Sequence, residues 1–383
     1  MVSSEIRDTP MRVLYFSLDY TPHDHRFLAT LAETEHEVYY LRLQRGPRQT
    51  ENRPVPDGVH IVRWAGGRRP FRWRDFPRLL VDFRRVVRRL QPDLIHAGPL
   101  QQVALFPALA GAHPLVAMSW GSDLLRDAER NAFYRWASRF VLSRADAFVG
   151  DCETVAQKAL SLGFPREKMA IFPWGVDLTR FSPGPDDGLR ARWGWQDAFV
   201  IIHTRSWEPL YGVEVMAQAF TRAARQEPRL RLMLLGGGSL APRLREIWQR
   251  GGVLDRVQFV GQVSQRHLPR YYRAADLYLS ASHSDGSSVS LMEALACGLP
   301  VAVSDIPSNQ EWVRQGIEGW LFPDGDAAAL ARILVRAARI PREQLQTLGW
   351  AARRRAEERA NWAQNVQRLL QLYVLVQKRE SAL

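Results

Sequence analysis

Short β-rich runs alternate with longer helical patterns through nearly all of this 383-residue chain, in two successive series. In the first series the expected strands fall at 12–18, 60–64, 93–97, 115–119, 147–150 and 169–172. In the second they fall at 199–203, 231–235, 257–260, 277–281, 301–304 and 319–322. Several are almost unbroken apolar runs, as a strand buried on both faces must be. Strand–helix alternation predicts parallel sheets covered by helices on both sides. The chain is too long for one ordinary core, so each series is expected to be a domain of its own.

The break between them falls in 173–194, where PWGVDLTRFSPGPDDG is rich in Pro, Gly and Asp and resists both helix and strand. The expected layout is therefore an N-terminal Rossmann-like domain at 1–175, a linker at 176–194 and a C-terminal Rossmann-like domain at 195–360. A C-terminal helix at 361–383 packs back on the N-terminal domain, at the end of a helical stretch that opens near Pro341. Open parallel sheets bind ligands beyond the carboxyl ends of their strands, so the residues that follow strands are the candidates.

The densest such segment is HSDGSSVSLMEALACGLPVAVSD, which reads as a tight turn, a helix, a glycine stop at Gly298 and a new strand. Gly286, Ser287 and Ser288 form a small-residue turn that a ligand can approach closely. The helix opening near Ser288 aims unsatisfied N–H groups and a positive dipole end at that turn, a seat for phosphate. Asp285 precedes the helix and Glu293 lies one and a half turns inside it. A buried carboxylate there needs donors, which sugar hydroxyls supply. The plainer reading keeps Asp285 as a cap and Glu293 as an arginine's partner.

This segment resembles the retaining glycosyltransferases of family 4, which have the GT-B fold of two Rossmann-like domains facing each other across a cleft. Their hallmark is a pair of acids separated by seven residues. Here it reads Asp285-Gly286 … Glu293-Ala294, with Asp in place of the usual first Glu. The resemblance implies that Glu293 grips the donor ribose, that Asp285 reaches the transferred sugar, and that amides around Ser287 to Val289 meet the diphosphate. LRLMLLGGGS resembles the family's glycine turn, which implies Gly236 and Gly238 beside the donor. RVQFVGQVSQRHLPRYYRAADLYLSAS resembles the run whose loop borders the base, here Gly261, Val263 and Ser264. The likeness extends through 143–183, with Trp174 where Asn is usual.

Three departures stand out. Family members carry Gly-Arg and then Lys-Gly after the first strand of the second domain, and the two cations replace a metal. Here Arg205 keeps the first place, but Tyr211 stands before Gly212. A phenol donates a hydrogen bond without adding charge. The N-terminal domain lacks the glycine pair common after the first strand, so the loop from Asp19 through Tyr20 and His23 to His25 is expected to serve acceptor recognition. Two histidines on one loop are too few for a metal site. Trp120 replaces the histidine that usually meets the donor sugar, and Asp123 reads equally as a cleft residue or a helix cap.

Composition narrows the partners. The formal charge is +12, almost all of it arginine, with lysine only at Lys158, Lys168 and Lys378. That bias reflects either genome composition or attraction to anionic partners. Between Arg68 and Arg89 nine arginines alternate with Phe71, Trp73, Phe76, Leu79, Leu80, Phe83, Val86 and Val87. The stretch reads either as a core-facing helix with a solvated basic face or as an anionic-membrane surface. Two distant cysteines suit a reducing compartment. The polar opening has no leader pattern, and no apolar run nears the roughly 18 residues that span a bilayer. A cytoplasmic chain, peripheral to the inner membrane face, is expected. It needs no cofactor or metal beyond its nucleotide-diphosphate-sugar co-substrate, and no nucleic-acid module is visible. Two other readings remain, a GT-B nucleotide-sugar epimerase and a non-catalytic nucleotide-sugar-binding protein.

Overall fold

The computed structural model describes residues 10–46 and 51–380. The polar opening stretch, apart from Pro10, lies outside the described residues. These divide into two compact units, one within Met1–Phe172 and Val366–Leu383, the other Pro173–Asn365.

The first unit is built on seven strands: β1 (Arg12–Ser17), β2 (Glu37–Arg42), β3 (Val59–Ile61), β4 (Leu94–Gly98), β5 (Leu115–Met118), β6 (Ala147–Gly150) and β7 (Met169–Ile171). All pair in parallel, in the order β3-β2-β1-β4-β5-β6-β7. Alternate residues of β1 serve opposite faces of the sheet. Phe16 stacks on Phe83 and meets Phe106 edge-on, while Tyr15 packs against Phe27 and His96. Truncating Phe16 to Ala would cost about 3–5 kcal/mol. The C-terminal helix Gln367–Glu380 belongs to this unit: the Tyr373 hydroxyl lies 2.6 Å from His96 Nδ1, both side chains being fully buried.

The second unit has six parallel strands: β8 (Phe199–His203), β9 (Leu230–Leu235), β10 (Val257–Gly261), β11 (Leu277–Ser280), β12 (Val301–Ser304) and β13 (Gly319–Phe322), in the order β10-β9-β8-β11-β12-β13. Chain order reverses between β8 and β11, and the crevice beyond that switch point is where open α/β sheets bind ligands. Residues 176–194 pack onto this unit through buried Val176, Phe181 and Leu189.

Four local readings change. Strand β2 (EVYYLR) was not expected, because its two ends are charged. Beside it, β3 is a three-residue edge, and Trp64 leaves the sheet to pack edge-on against Phe16. The loop expected through His25 ends at Thr21. Pro22 opens the helix Pro22–Ala32, and Thr21 and Asp24 close a reciprocal capping box, so His23 and His25 sit in its first turn. The long helical stretch from Pro341 is interrupted as well. Asn361 bridges to Val176, whose N–H donates to Ala360 O, and the helix Arg342–Arg359 stops there.

Candidate active site

The loops that follow β8 and β11 bring the acidic pair and Arg205 together. Gly212, at φ +57°, takes the chain from the β8 loop into the helix Val213–Gln226. A Cβ there would lie 1.9 Å from Ala281 O, so only glycine fits. The next residues are fixed by Trp207, whose indole N–H donates to Leu235 O at 2.9 Å and whose backbone N–H donates to Gly237 O at 3.0 Å. Gly238 packs so close that a Cβ would meet Trp207 O at 2.4 Å. Gly236 takes φ +91° and donates its N–H to Gly261 O. Gly261 takes φ +81° with open space around it. Val263 is half-buried, and Ser264 O accepts the N–H groups of His267 and Leu268.

Held by this frame, the Arg205 guanidinium makes four contacts, the longest of its hydrogen bonds running from Nη1 to Ser290 Oγ at 3.5 Å. Its Nη2 lies 2.6 Å from Asp285 Oδ2, and its Nη1 donates to Ser288 Oγ at 3.1 Å. Its central carbon sits 4.3 Å from the Tyr211 ring centroid. The Arg205 and Asp285 side chains are only 14% and 16% exposed. Burial pushes the Asp285 carboxyl above the usual carboxylate range, and the Arg205 charge offsets only part of that rise. Burial is the largest influence and works against the Arg205 charge, but Asp285 together with the neighbouring Tyr211 and Tyr278 phenols outweighs it and holds the guanidinium protonated.

The helix Val289–Ala296 opens at Ser288 with no side chain capping its amino end. Gly286, Ser287 and Ser288 are buried in the turn before it, Val289 is half-buried, and Ser287 Oγ accepts from the Trp312 indole at 3.2 Å. Glu293, 2% exposed, accepts from the Tyr272 hydroxyl at 2.9 Å and from Gln265 Nε2 at 3.4 Å. Burial, and then the Glu293 charge, lift the Tyr272 phenol well above its ordinary value, so it stays a donor. Sequence reasoning missed Tyr272, Gln265, Ser290 and Trp207. No spacing rule points at them, because each acts through a contact made across the fold.

A sequence-family model of glycosyl transferases group 1 matches residues 198–339, and one of glycosyltransferase family 4 matches 23–180. The chain belongs to these glycosyltransferases. It is 31% identical over 244 residues to a D-inositol 3-phosphate glycosyltransferase of Geodermatophilus obscurus, spanning 61% of this chain and 53% of that protein. It is 30% identical over 185 residues to the amylovoran biosynthesis glycosyltransferase AmsK of Erwinia amylovora, spanning 47% of this chain and 44% of that protein. The chain thus spans about half the length of these curated relatives. Its fold is that of Anabaena HepE in complex with UDP and glucose (TM-score 0.77, 20% identity, 94% and 98% coverage). It is also that of sucrose-phosphate synthase from Thermosynechococcus elongatus (TM-score 0.78, 20% identity, 94% and 98% coverage). This is the GT-B fold of two parallel-stranded α/β units.

In the first unit of this family-4 chain, the residues that follow β1 and β5 are braced by their own loops. Asp19 accepts the N–H groups of Tyr20 at 2.7 Å and Gly46 at 2.6 Å. The buried Tyr20 hydroxyl donates to Pro54 O and lies 2.6 Å from His25 Nδ1. The His23 ring lies against Trp120 at 5.5 Å. Asp123 is buried and accepts from Ser119 Oγ, Trp120 N and Leu100 N at 2.7–3.0 Å. Burial raises its carboxyl to about 6. Among the described residues no group of three or more His, Cys, Asp or Glu is set to hold a metal, and no helix is long and apolar enough to cross a membrane.

Proposed function

We propose that this chain moves a sugar from a nucleotide-diphosphate donor to a hydroxyl acceptor, with retention of anomeric configuration and without a metal. The observation that carries the reading is the meeting of Arg205 with the uncapped amino end of the helix Val289–Ala296, beside Asp285 and above Glu293. Cleavage of the anomeric bond builds negative charge on the departing diphosphate and positive charge on the sugar. A fixed guanidinium and a row of backbone N–H groups are suited to the first, since they stabilise charge that grows in the transition state. Donor binding sets the diphosphate in competition with Asp285 for Arg205, and an Asp285 so released can accept from a sugar hydroxyl. Glu293, prepared by Tyr272, accepts from the ribose hydroxyls. The glycine turn at Gly236–Gly238 and the loop Gly261–Ser264 flank the nucleotide.

Retention follows from acceptor attack on the face the diphosphate leaves, with the acceptor proton passing to a phosphate oxygen. The first unit supplies acceptor contacts from Asp19, Tyr20, His23, Trp120 and Asp123. The acceptor is a glycan, a lipid-linked sugar or a small molecule. A cytoplasmic setting with peripheral membrane contact is part of this proposal, and the two buried cysteines, which form no disulfide, suit a reducing compartment.

The test is a hydrolysis and transfer screen over UDP-, GDP-, ADP- and TDP-sugars, with chelator present and absent. Turnover of one donor that survives chelation, yields a retained product and is lost in Glu293→Ala supports the proposal. Release of an epimerised sugar, or donor binding without turnover, would overturn it.

A further inference from the structure

We propose, resting on the peripheral membrane contact of the proposed function, that an aromatic cluster on the first unit, formed by Trp73, Phe133 and Trp136 and flanked along the chain by exposed arginines, docks the protein on an anionic lipid bilayer. Apart from the lone exposed Val81, the helix Phe76–Leu90 does not itself offer an apolar face. Its Leu79, Phe83 and Val86 are buried in the core, and the arginines face outward. The exposed apolar surface lies instead just before that helix and on a second one. Trp73, on the turn Trp73–Asp75, is 37% exposed, and Phe133 and Trp136, on the helix Ala132–Arg144, are 43% and 48% exposed. Their rings touch: Trp73 meets Phe133 edge-on at 5.1 Å, and Phe133 lies 5.8 Å from Trp136. Below them Trp136 stacks on Phe140, and Trp73 rests on Phe71 and Phe76, which pack on Phe106. The cluster is thus a rigid apolar cap.

The charge around this cap selects the partner. Arg68, Arg72, Arg74, Arg78 and Arg139 are exposed, and none forms an ion pair among the described residues. The nearby carboxylates are already engaged, Asp75 by Arg69 and Glu129 by Arg135 and Lys158. Exposed Trp and Phe favour the headgroup boundary, and unpaired arginines beside them favour anionic headgroups. A neutral protein surface would satisfy the rings and leave the arginines unmatched.

The experiment is co-sedimentation of the full chain with vesicles of about 30% phosphatidylglycerol in phosphatidylcholine, and with phosphatidylcholine alone, across a salt series. The wild type should bind the anionic vesicles at least about tenfold more tightly, with affinity falling as salt rises. The triple variant W73S/F133S/W136S should lose about tenfold or more. The triple variant R68Q/R72Q/R74Q should lose a similar amount together with most of the salt dependence. Far-UV circular dichroism and melting temperature identify any variant that fails to fold, and single substitutions then replace it. Wild type that stays in the supernatant, or serine variants that bind as wild type does, would overturn the proposal. So would a lipid-free dimer that the serine substitutions dissolve, which would make the cap a self-association surface.

Discussion

If the Tyr211 ring face, rather than its hydroxyl, supports Arg205, then Tyr211→Phe and Tyr211→Ala must behave very differently. The Arg205 central carbon lies 4.3 Å from the ring centroid, well inside cation–π range, and its side chain is 14% exposed. A contact so desolvated is worth about 1.5–2 kcal/mol, toward the upper end for this interaction. Tyr211→Ala removes it and lets the guanidinium move off the line between Asp285 and Ser288. The expected loss is about 10–30-fold in kcat/KM for the donor, since about 1.4 kcal/mol is tenfold. Tyr211→Phe keeps the face and should stay within about twofold of wild type.

The assay is initial-rate donor turnover for both variants, alongside donor Kd from calorimetry. A phenylalanine variant as poor as the alanine variant would mean that the hydroxyl makes the working contact, and the ring-face argument would be refuted. An alanine variant equal to wild type would sink it too.

Gly238→Ala should displace the turn packed on Trp207, because its Cβ would lie 2.4 Å from Trp207 O. A cost of about 1–3 kcal/mol, seen as a melting point lower by several degrees together with weaker donor binding, is expected. Tyr272→Phe strips Glu293 of its 2.9 Å donor, leaving a buried acceptor short of a partner at about 1–3 kcal/mol, and donor KM should rise while kcat changes little. Burial raises the Asp24 carboxyl to about 6 from an ordinary 3.8, so the folded state favours its protonated form. That stability is fully present below about pH 4 and is lost as pH rises through about 6, a change on the order of 3 kcal/mol. In Asp24→Asn the decline should be missing, so denaturant unfolding should show the variant gaining on wild type from pH 4 to 7. A constant difference across that window would count against the assignment.

What the sequence made legible follows from how each element is buried. Strands β6, β8, β12 and β13 fall where expected, because a strand covered on both faces reads as an apolar run. β2 escaped because Glu37 and Arg42 mark its ends and break the run. The break after Arg359 escaped because its cause is Val176, far off in the chain. At the site, the turn and helix around Ser288 were legible, since the glycine turn and the small residues that open the helix are local signals. The contacts among Arg205, Asp285 and Tyr211, and that between Tyr272 and Glu293, were not. Arg205 meets Asp285 because the sheet order sets β8 beside β11, Arg205 meets Tyr211 across the turn of a single loop, and Tyr272 meets Glu293 between the helices on either side of β11.

Those contacts give two of the differences from the family pattern, Tyr211 and Asp285, a common physical basis. A lysine at position 211 would set a second cation near Arg205 in a largely buried site, where like charges repel strongly until a diphosphate arrives. Tyr211 instead supports the single cation by its ring face and adds no charge. A lone guanidinium still needs a counter-charge when no phosphate is present, and Asp285 supplies it at 2.6 Å. The short side chain and the aromatic ring therefore act on the same atom group from two sides. Read one at a time along the sequence, each substitution looks like the loss of a usual contact. Together they hold one arginine charged and oriented, and on the proposed function it exchanges a carboxylate for a phosphate.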